Sequence, residues 1–160
     1  MLNGGEYMLL PGLEDVESFA VMGLISRVDD DFSELDDVWG AFAQVRDAIA
    51  PHSVDGACYG VSFATDEAGR VDYLAGMAVP AGTQPPEGMV VRELPGALYA
   101  QFDCRFHELA DTIQGARQEW LPSSPYAPAP NVPVADYLRL PAGELNAQAM
   151  VSYFFPIVDR

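Results

Sequence analysis

Aromatic and sulfur-containing side chains recur at alternate positions of several short apolar segments. Three pairs are spaced two or four residues apart: Tyr59 with Phe63, Tyr73 with Met77, and Ser152 with Phe154. Because alternate side chains of a β-strand point to the same side, the members of each pair share one face. A face rich in tyrosine and methionine can hold a flat apolar cation by stacking and cation–π attraction. The same spacing also fits a face that packs beneath helices as ordinary core.

Groups that carry nucleophilic, metal or cofactor chemistry are sparse. His52 follows a proline at a predicted helix end, where histidine is commonly a solvated cap, and His107 stands at a predicted helix start. Cys58 and Cys104 are too few for a disulfide framework or a structural zinc site. The chain contains no nucleophile elbow, zinc-protease motif, dinucleotide fingerprint or phosphate loop. The sequence therefore predicts no catalytic residue, no metal and no cofactor.

The charge balance excludes two classes of partner. The chain has 160 residues with 8 basic and 24 acidic side chains, so its formal net charge is −16. Affinity for nucleic acid depends on cations that contact phosphates, which argues against direct binding of DNA or RNA. Anionic membrane surfaces are disfavoured for the same reason. The negative field favours a cationic small molecule or a basic protein partner.

Length and composition fit one packed domain over residues 1–160. About half of the residues are apolar and 11% are aromatic, which is enough for one core. The first residues carry no basic region followed by an apolar run, and no apolar stretch of about 18 residues occurs, so neither a signal peptide nor a membrane span is predicted. We therefore expect a soluble, cytoplasmic protein.

The first half of the chain has the pattern strand, helix, strand, strand. Residues 16–28 are rich in β-branched and aromatic side chains and predict a strand. Ser33 is a predicted N-cap, and apolar residues at helical spacing predict a helix over 34–50 that Pro51 ends. A hairpin turn joins the next two predicted strands, which span Ala57–Thr65 and Val71–Val79.

The second half repeats this order after a connector rich in proline and glycine at 80–88. Met89–Leu94 and Ala97–Arg105, separated by a Pro-Gly pair, are predicted to form a bent or long strand, and a helix is predicted over Phe106–Trp120. A turn-rich loop over 121–133 is long for a compact domain. The last predicted strands span Val134–Leu140 and Ala147–Val158.

The two halves, about 9–80 and 88–158, therefore form a predicted internal repeat of a β-α-β-β unit. Their sequences also align weakly, with SFAVM at 18–22 over LYAQF at 98–102. We predict an α+β fold in which two helices cover one face of a six-stranded sheet, leaving aromatic side chains of the other face to line a cleft. A single α+β sheet without duplication is the alternative.

Five sequence segments, taken together in their order along the chain, resemble those of a known family: CYGVSF at 58–63, VDYLAGMAV at 71–79, PEGMVVRELPGALYAQFDC at 86–104, QEWLPSSPY at 118–126 and VSYFFPIV at 151–158. Together they resemble the GyrI-like small-molecule-binding domain, which is the effector-binding domain of AraC-type and multidrug-sensing transcription regulators. The resemblance covers residues 9–158. It implies a duplicated β-α-β-β fold with one curved antiparallel sheet, helices on one face and a ligand cleft at the pseudo-twofold axis.

The resemblance also implies which positions border the cleft. Trp120 matches the aromatic residue of the family's E-W-L-P phrase, Tyr59 matches the Y-G-V strand, and Tyr73 matches the aromatic residue before A-G. The last strand departs from the family, because many members read V-E-I-Y-I-P-I and their Glu pairs with cationic drugs, whereas Ser152 stands here. Asp72 or Glu93 could substitute, although strand alternation places Asp72 opposite Tyr73. The full set of candidate ligand-binding residues is Trp39, Tyr59, Phe63, Tyr73, Met77, Trp120, Tyr137, Ser152 and Phe154.

Three functions are consistent with these observations. The leading hypothesis is a stand-alone binding module that senses or sequesters bulky apolar small molecules, cationic and aromatic ones included. The absence of Glu at position 152 makes a neutral apolar ligand an alternative to a cation. The resemblance also admits a hydrolase that opens reactive cyclopropane-bearing natural products in the same cleft. A third hypothesis is an acidic protein-interaction module similar to the gyrase inhibitor that gives the family its name.

Overall fold

The computed structural model describes residues 11–29, 34–130, 132–140 and 148–160. These residues form nine strands, numbered β1 to β9: Gly12–Val16, Phe19–Asp29, Cys58–Ala64, Arg70–Val79, Val90–Leu94, Ala97–Arg105, Tyr126–Pro128, Val134–Leu140 and Met150–Asp159. Helix α1 spans Leu35–Ile49 and helix α2 spans Leu109–Gly115. Short helical turns flank them: 3-10 turns over Ala50–His52 and Phe106–Glu108, a π-helical turn over Ala116–Trp120 and an α-helical turn over Leu121–Ser123.

The strands form one antiparallel sheet whose order is symmetric about its centre. The order is β1-β6-β9-β8-β3-β4-β2-β5, and β7 pairs with β9. Strands β2, β3 and β4 of the first half therefore occupy the same relative places as β6, β8 and β9 of the second half. The halves meet where β3 pairs with β8, with Gly60 opposite Leu138 and Val61 opposite Tyr137. A pseudo-twofold axis passes through this central pair, and the predicted α+β fold with duplicated β-α-β-β units is confirmed.

The leading strand of each half crosses to the edge of the other half. Strand β1 pairs with β6, although it directly precedes β2, and β5 pairs with β2, although it directly precedes β6. The predicted strand over 16–28 corresponds to β2 and shares only Val16 with β1, whereas the bent strand predicted over 89–105 is divided into β5 and β6. The strand conformation is interrupted at Glu17–Ser18 and at Pro95–Gly96, because the segments on either side of each interruption pair with different strands of the sheet. These outer strands, together with β7, bring the predicted six strands to nine.

Helix α1 forms where apolar residues recur at helical spacing. Val38, Phe42 and Ile49 of this stripe are buried against the sheet. The helix ends at Ile49, and Pro51 lies in the 3-10 turn that follows, because a proline ring cannot continue the helical hydrogen bonds. The predicted N-cap Ser33 lies outside the described residues.

The second helical segment is less regular than the single helix predicted over 106–120. Only seven residues form α2, and a π-helical turn follows it directly. Such turns occur frequently at functional sites. Within the predicted loop over 121–133, strand β7 pairs with β9, and this pairing anchors the connection to the sheet. No helix in the described part of the chain is both long and apolar enough to cross a lipid bilayer.

Strands β2 and β4 approach each other closely at a pair of glycines. Gly23 lies opposite Gly76 in the ladder. A Cβ atom added to Gly23 would meet the carbonyl oxygen of Ala75, and one added to Gly76 would meet the carbonyl oxygen of Met22. Both obstacles are backbone atoms, which cannot move aside without distorting the sheet. Glycine is therefore required at this pair by close approach of the strands.

We expect Gly76→Ala to lower the free energy of unfolding by about 1–3 kcal/mol, because overpacking forces the two strands apart. Gly40→Ala is the matched control, since Gly40 lies in α1 with no described atom within 4 Å of an added Cβ. In the middle of a helix, alanine is more stable than glycine by about 0.5–1 kcal/mol. Chemical denaturation followed by circular dichroism measures both variants. Equal stabilities would contradict the close approach of β2 and β4.

Candidate functional site

The two faces of the sheet carry different sets of side chains. One apolar cluster joins Tyr73 to residues of α1, and another joins Tyr153 to the segment that follows α2. The cluster on the opposite face contains no described residue of either helix. The predicted site residues divide between these faces, with Trp39, Tyr73, Met77 and Trp120 on the helix side and Tyr59, Phe63, Tyr137, Ser152 and Phe154 on the open side.

A narrow cleft lies between α1 and α2 over the pseudo-twofold axis, and we call it the interhelical cleft. Its volume is about 50 Å³. Helix α1 packs on β2 and β4, helix α2 packs on β6, and the described parts of the two helices share no extensive interface. The cleft is lined by Leu35, Gly60, Ser62, Tyr73, Leu109, Ile113, Asp136, Leu138 and Tyr153.

A polar cluster forms one wall of the interhelical cleft. The Tyr153 hydroxyl donates a hydrogen bond to Oδ2 of Asp136 at 2.8 Å. The Arg117 guanidinium donates from Nη2 to the same oxygen at 3.4 Å and from Nε to the Tyr153 hydroxyl at 3.1 Å. Only 15% of the Asp136 side chain and 32% of the Arg117 side chain are exposed. The cleft therefore holds a carboxylate that is largely removed from water and paired with an internal cation.

The titratable groups around this carboxylate respond to burial and to each other. Burial raises the pKa of Tyr73, and burial together with the Asp136 carboxylate raises the pKa of Tyr153. Burial alone would lower the pKa of Arg117, but the attraction and hydrogen bonds of Tyr153 and Asp136 outweigh it and raise the value. At neutral pH both tyrosines are thus neutral hydrogen-bonding groups, and Arg117 is charged.

The position of Tyr73 at the cleft wall is set by two neighbours. The Trp39 indole N–H donates a hydrogen bond to the Tyr73 hydroxyl at 3.2 Å, and the two rings meet edge to face. Gly60 leaves the space that this hydroxyl fills, because a Cβ atom at Gly60 would meet it. Trp39 of α1 and Gly60 of β3 therefore hold the Tyr73 ring in place from opposite sides.

The other two predicted residues on the helix side pack in the core. Met77 is 2% exposed and belongs to the cluster beneath α1. Trp120 packs edge to face against Phe102 and Phe155 and stacks on Tyr126. Neither Met77 nor Trp120 lines the interhelical cleft. Trp120 instead fixes the π-helical turn against the sheet.

The open face of the sheet holds a wider cavity of about 550 Å³, which we call the aromatic bowl. Its buried or half-buried rings are Phe19, Tyr59, Tyr137 and Phe154, and its exposed charged residues are Glu14, Glu17, Asp55 and Arg139. Phe63 is half-buried in the apolar cluster of the same face but does not line the bowl. The rest of the lining consists of Val16, Ser18, Val54, Ala78 and Gln101.

Ser152 and Asp72 also lie on the open face. The Ser152 hydroxyl donates a hydrogen bond to Oδ1 of Asp103 at 2.6 Å. Asp72 pairs with Arg27 at 2.9 Å, and the hydrogen bond from Arg27 lowers the pKa of Asp72. The position that the family resemblance implied for a ligand-pairing acid therefore faces away from the interhelical cleft. The carboxylate inside that cleft belongs to Asp136.

Sequence reasoning missed Asp136, Tyr153 and Arg117. A signal for Asp136 was present, because strand alternation places it on the same side as Leu138 and Leu140 and thus puts an acid in an apolar row. Tyr153 lies between Ser152 and Phe154 in the sequence of the strand. Its side chain therefore points to the opposite face from the pair that was predicted to bind a ligand. No local pattern marks Arg117, which reaches Asp136 from the π-helical turn.

Comparison with known families gives one match over most of the chain. The profile of Cass2, described as an integron-associated effector binding protein, matches residues 12–157. This chain belongs to the Cass2 family. Membership agrees with the GyrI-like resemblance carried by the sequence phrases. Among curated proteins, none matches the chain significantly.

Solved structures share the fold of this Cass2-family chain at low sequence identity. SAV2435 bound to tetraphenylphosphonium is 10% identical, with a TM-score of 0.77 and 94% of each chain covered. The C-terminal domain of EcmrR is 14% identical, with a TM-score of 0.71 and coverage of 96% of this chain and 100% of that one. The integron cassette protein VCH_CASS2 of Vibrio cholerae is 16% identical, with a TM-score of 0.58 and coverage of 92% and 95%. These likenesses establish the fold.

The raised tyrosine pKa values predict a delayed alkaline titration. A group whose pKa is higher in the folded state stabilises that state fully below its unfolded value, and the contribution is lost as pH rises through the folded value. Burial raises the pKa of Tyr59, Tyr73, Tyr137 and Tyr153 far above the ordinary value. We expect phenolate absorbance at pH ~10–11 to stay well below the level for all tyrosines, with these four ionising only as the fold is lost.

Circular dichroism recorded at each pH separates ionisation from unfolding. The chain has seven tyrosines, and the fully unfolded protein in denaturant supplies the reference absorbance. Complete ionisation at pH ~10 with the native circular dichroism retained would contradict the buried environments described above.

Proposed function

We propose that this Cass2-family protein binds bulky apolar organic cations in the interhelical cleft, with Asp136 as the counter-ion. The observation that carries the proposal is the largely buried Asp136 carboxylate beside the pseudo-twofold axis, between two helices that share little interface. Removing water lowers the local dielectric constant and strengthens the attraction between a carboxylate and a cation. A cation that brings its own apolar body has little hydration to lose on entering the cleft.

The remaining walls suit such a ligand. Tyr73 and Tyr153 present aromatic rings on opposite sides of the axis, and both phenols stay neutral because burial raises their pKa values. Neutral aromatic rings attract a cation through their electron-rich faces. The helices add apolar contact area from Leu35, Leu109 and Ile113. This combination of a few polar groups and many apolar ones is typical of small-molecule sites.

Binding requires the cleft to open. Its volume of about 50 Å³ is far below that of typical ligand pockets, which measure roughly 300–1,000 Å³. The second helical segment is the element suited to move, because its α-helical part has seven residues and a π-helical turn follows. An isolated helix of that length is marginal in water, so its position depends on packing against β6. The ligand would bind conformations in which α2 has moved away from α1.

Arg117 occupies the place that a ligand's charge would take. Its guanidinium pairs with Asp136 and lies 4.6 Å from the centre of the Phe155 ring, so it already makes an ion pair and a cation–π contact. An incoming cation must displace this resident cation toward solvent, where about a third of its side chain already lies. A cation with little apolar surface gains too little free energy from burial to displace Arg117. Competition with Arg117 for Asp136 therefore favours large lipophilic cations.

Two further observations support the proposal. SAV2435, which shares the fold, has been solved bound to tetraphenylphosphonium, a large apolar cation with aromatic groups. The net charge of −16 also raises the local concentration of any cation near the protein. We propose that the biological role is to sense or sequester such compounds, since opening the cleft changes the spacing of α1 and α2 that a partner can read.

Calorimetric titration with tetraphenylphosphonium tests the proposal. We expect saturable binding at one site in the cleft, and Asp136→Asn to weaken it by about tenfold or more, because a charge-assisted contact contributes roughly 1.5–3 kcal/mol. Asp72→Asn is the matched control, since it removes the same charge from the opposite face and should leave the affinity unchanged. Triphenylphosphine oxide, a neutral analogue, should bind more weakly than the cation.

The same titrations can overturn the proposal. If neither compound binds, the cleft is not a ligand site for this class. If triphenylphosphine oxide binds as tightly as tetraphenylphosphonium, and Asp136→Asn changes nothing, the site takes neutral apolar ligands and Asp136 serves only to hold Arg117.

The ion pair of Arg117 with Asp136 leads to a separate prediction. We expect Arg117→Met to lower the melting temperature of the free protein, because it leaves the Asp136 carboxylate without its ion pair. The same change should raise affinity for tetraphenylphosphonium by about tenfold, since the ligand no longer displaces a competing cation. Thermal denaturation with and without the ligand measures both effects. In the double variant Arg117→Met, Asp136→Asn the gain in affinity should disappear. A gain that persists would show that Arg117 does not compete with the ligand for Asp136.

A further inference from the structure

The wall of the interhelical cleft carries two oxygen atoms that the ion pair with Arg117 does not use. We propose that the hydroxyl of Ser62 and Oδ1 of Asp136 together accept hydrogen bonds from a protonated primary or secondary amine, and so make the cleft selective for such amines over fully alkylated cations. This inference rests on the proposed function, because it keeps the cleft as the ligand site and adds the chemistry of the ligand's charged group.

Strand register places these two side chains next to each other. Ser62 of β3 lies directly opposite Asp136 of β8 on one side and directly opposite Tyr73 of β4 on the other. Directly opposite residues of an antiparallel pair point to the same face, with their Cβ atoms about 4.5–5.5 Å apart. Ser62 and Asp136 both line the interhelical cleft. A nitrogen atom that lies between them can therefore contact both oxygens at once.

The hydroxyl of Ser62 is a polar group without a partner in the described part of the chain. Ser62 is only 3% exposed, yet no described residue donates a hydrogen bond to its Oγ atom or accepts one from it. Most buried hydroxyls in proteins have a partner, because leaving one unpaired costs free energy. This hydroxyl lies in the wall of the cleft, where a bound ligand can supply the partner.

Asp136 has an unused oxygen in the same wall. The Tyr153 hydroxyl and the Arg117 guanidinium both donate to Oδ2. Within the described ranges, no residue donates to Oδ1. A carboxylate has about four acceptor sites, about two on each oxygen. The internal cation therefore satisfies one oxygen of the carboxylate and leaves the other to a ligand.

These two acceptors favour N–H groups over methyl groups. An ammonium N–H that donates to a carboxylate brings the nitrogen within about 2.7–2.9 Å of the oxygen. The methyl groups of a quaternary ammonium keep its nitrogen farther from Asp136, which weakens the attraction. They also leave Ser62 and Oδ1 without donors, and unpaired polar groups of this kind allow a site to reject an analogue. Two N–H groups satisfy both oxygens and replace the hydration that the ammonium loses on burial.

The size of the cleft agrees with this chemistry. Its volume is about 50 Å³, whereas a cavity that holds one water molecule needs roughly 10–15 Å³. A primary ammonium group is similar in size to water, and a trimethylammonium group is larger. The charged group of an amine therefore fits beside Ser62 and Asp136 in this structure, and only the apolar body of the ligand requires movement of α2.

Calorimetric titration with ligands that share one apolar body tests the inference. The probes are 4-phenylbenzylamine and its N,N-dimethyl and N,N,N-trimethyl derivatives, which all carry one positive charge at pH 7 and differ in the number of N–H groups. We expect the primary amine to bind about tenfold more tightly than the trimethyl derivative, because it makes charge-assisted hydrogen bonds that the latter lacks. The dimethyl derivative, with a single N–H, should bind with intermediate affinity.

Ser62→Ala isolates the contribution of the hydroxyl. We expect it to weaken binding of 4-phenylbenzylamine by about three- to tenfold and to leave binding of the trimethyl derivative unchanged. The melting temperature of the free protein should stay the same or rise, because the variant removes a buried hydroxyl that no described residue satisfies. A serine with a structural role would lower it. Ser152→Ala is the matched control, since it removes a hydroxyl from the opposite face and should leave both affinities unchanged.

Three outcomes contradict the inference. The first is equal affinity for the primary amine and the trimethyl derivative, with Asp136→Asn weakening both, which leaves the proposed function intact. The second is a preference for the primary amine that persists in Ser62→Ala, which would assign the selectivity to Asp136 alone. The third is no binding of 4-phenylbenzylamine under conditions in which tetraphenylphosphonium binds. If tetraphenylphosphonium also fails to bind, the proposed function falls together with the inference.

Discussion

The pairing of β3 with β8 is the constraint on which both cavities depend. It joins the two halves of the chain, and it places Gly60 opposite Leu138 and Tyr59 opposite Arg139. Because side chains alternate along each strand, Gly60 and Leu138 form the floor of the interhelical cleft, while Tyr59 and Tyr137 form the floor of the aromatic bowl. A slip of one residue would exchange these two sets. One register therefore specifies both faces at once.

An irregularity at the end of this pairing supplies the contact that holds Arg117. Ser62 lies opposite Asp136 and Phe63 lies opposite Val134, so Ala135 is the extra residue of a β-bulge. A bulge leaves one residue out of the ladder, and the carbonyl oxygen of Ala135 instead accepts a hydrogen bond from Nη2 of Arg117 at 3.1 Å. The bulge thus presents a backbone acceptor and the Asp136 carboxylate side by side. It also turns Val134 into the apolar cluster of the open face.

Much of the fold could be predicted from local sequence, and the site only in part. The strand over Val134–Leu140 has the predicted bounds, since its apolar alternation and flanking turn residues are local signals. Strand β1 could not be predicted, because its extended conformation depends on its pairing with the distant β6. Strand alternation correctly paired Tyr59 with Phe63 and Tyr73 with Met77. It could not say which of these faces the helices cover, since that depends on how both halves assemble.

The two cavities differ in how far their acidic side chains are exposed to water. A largely buried carboxylate cannot remain without a partner, because the cost of its desolvation must be offset by an opposite charge. Only eight basic residues occur in the chain, and one of them, Arg117, fills this role in the interhelical cleft. The acids of the aromatic bowl lie in water and need no internal partner, so the bowl can stay open. Under the proposed function, the interhelical cleft would select ligands by the burial that they gain in displacing Arg117.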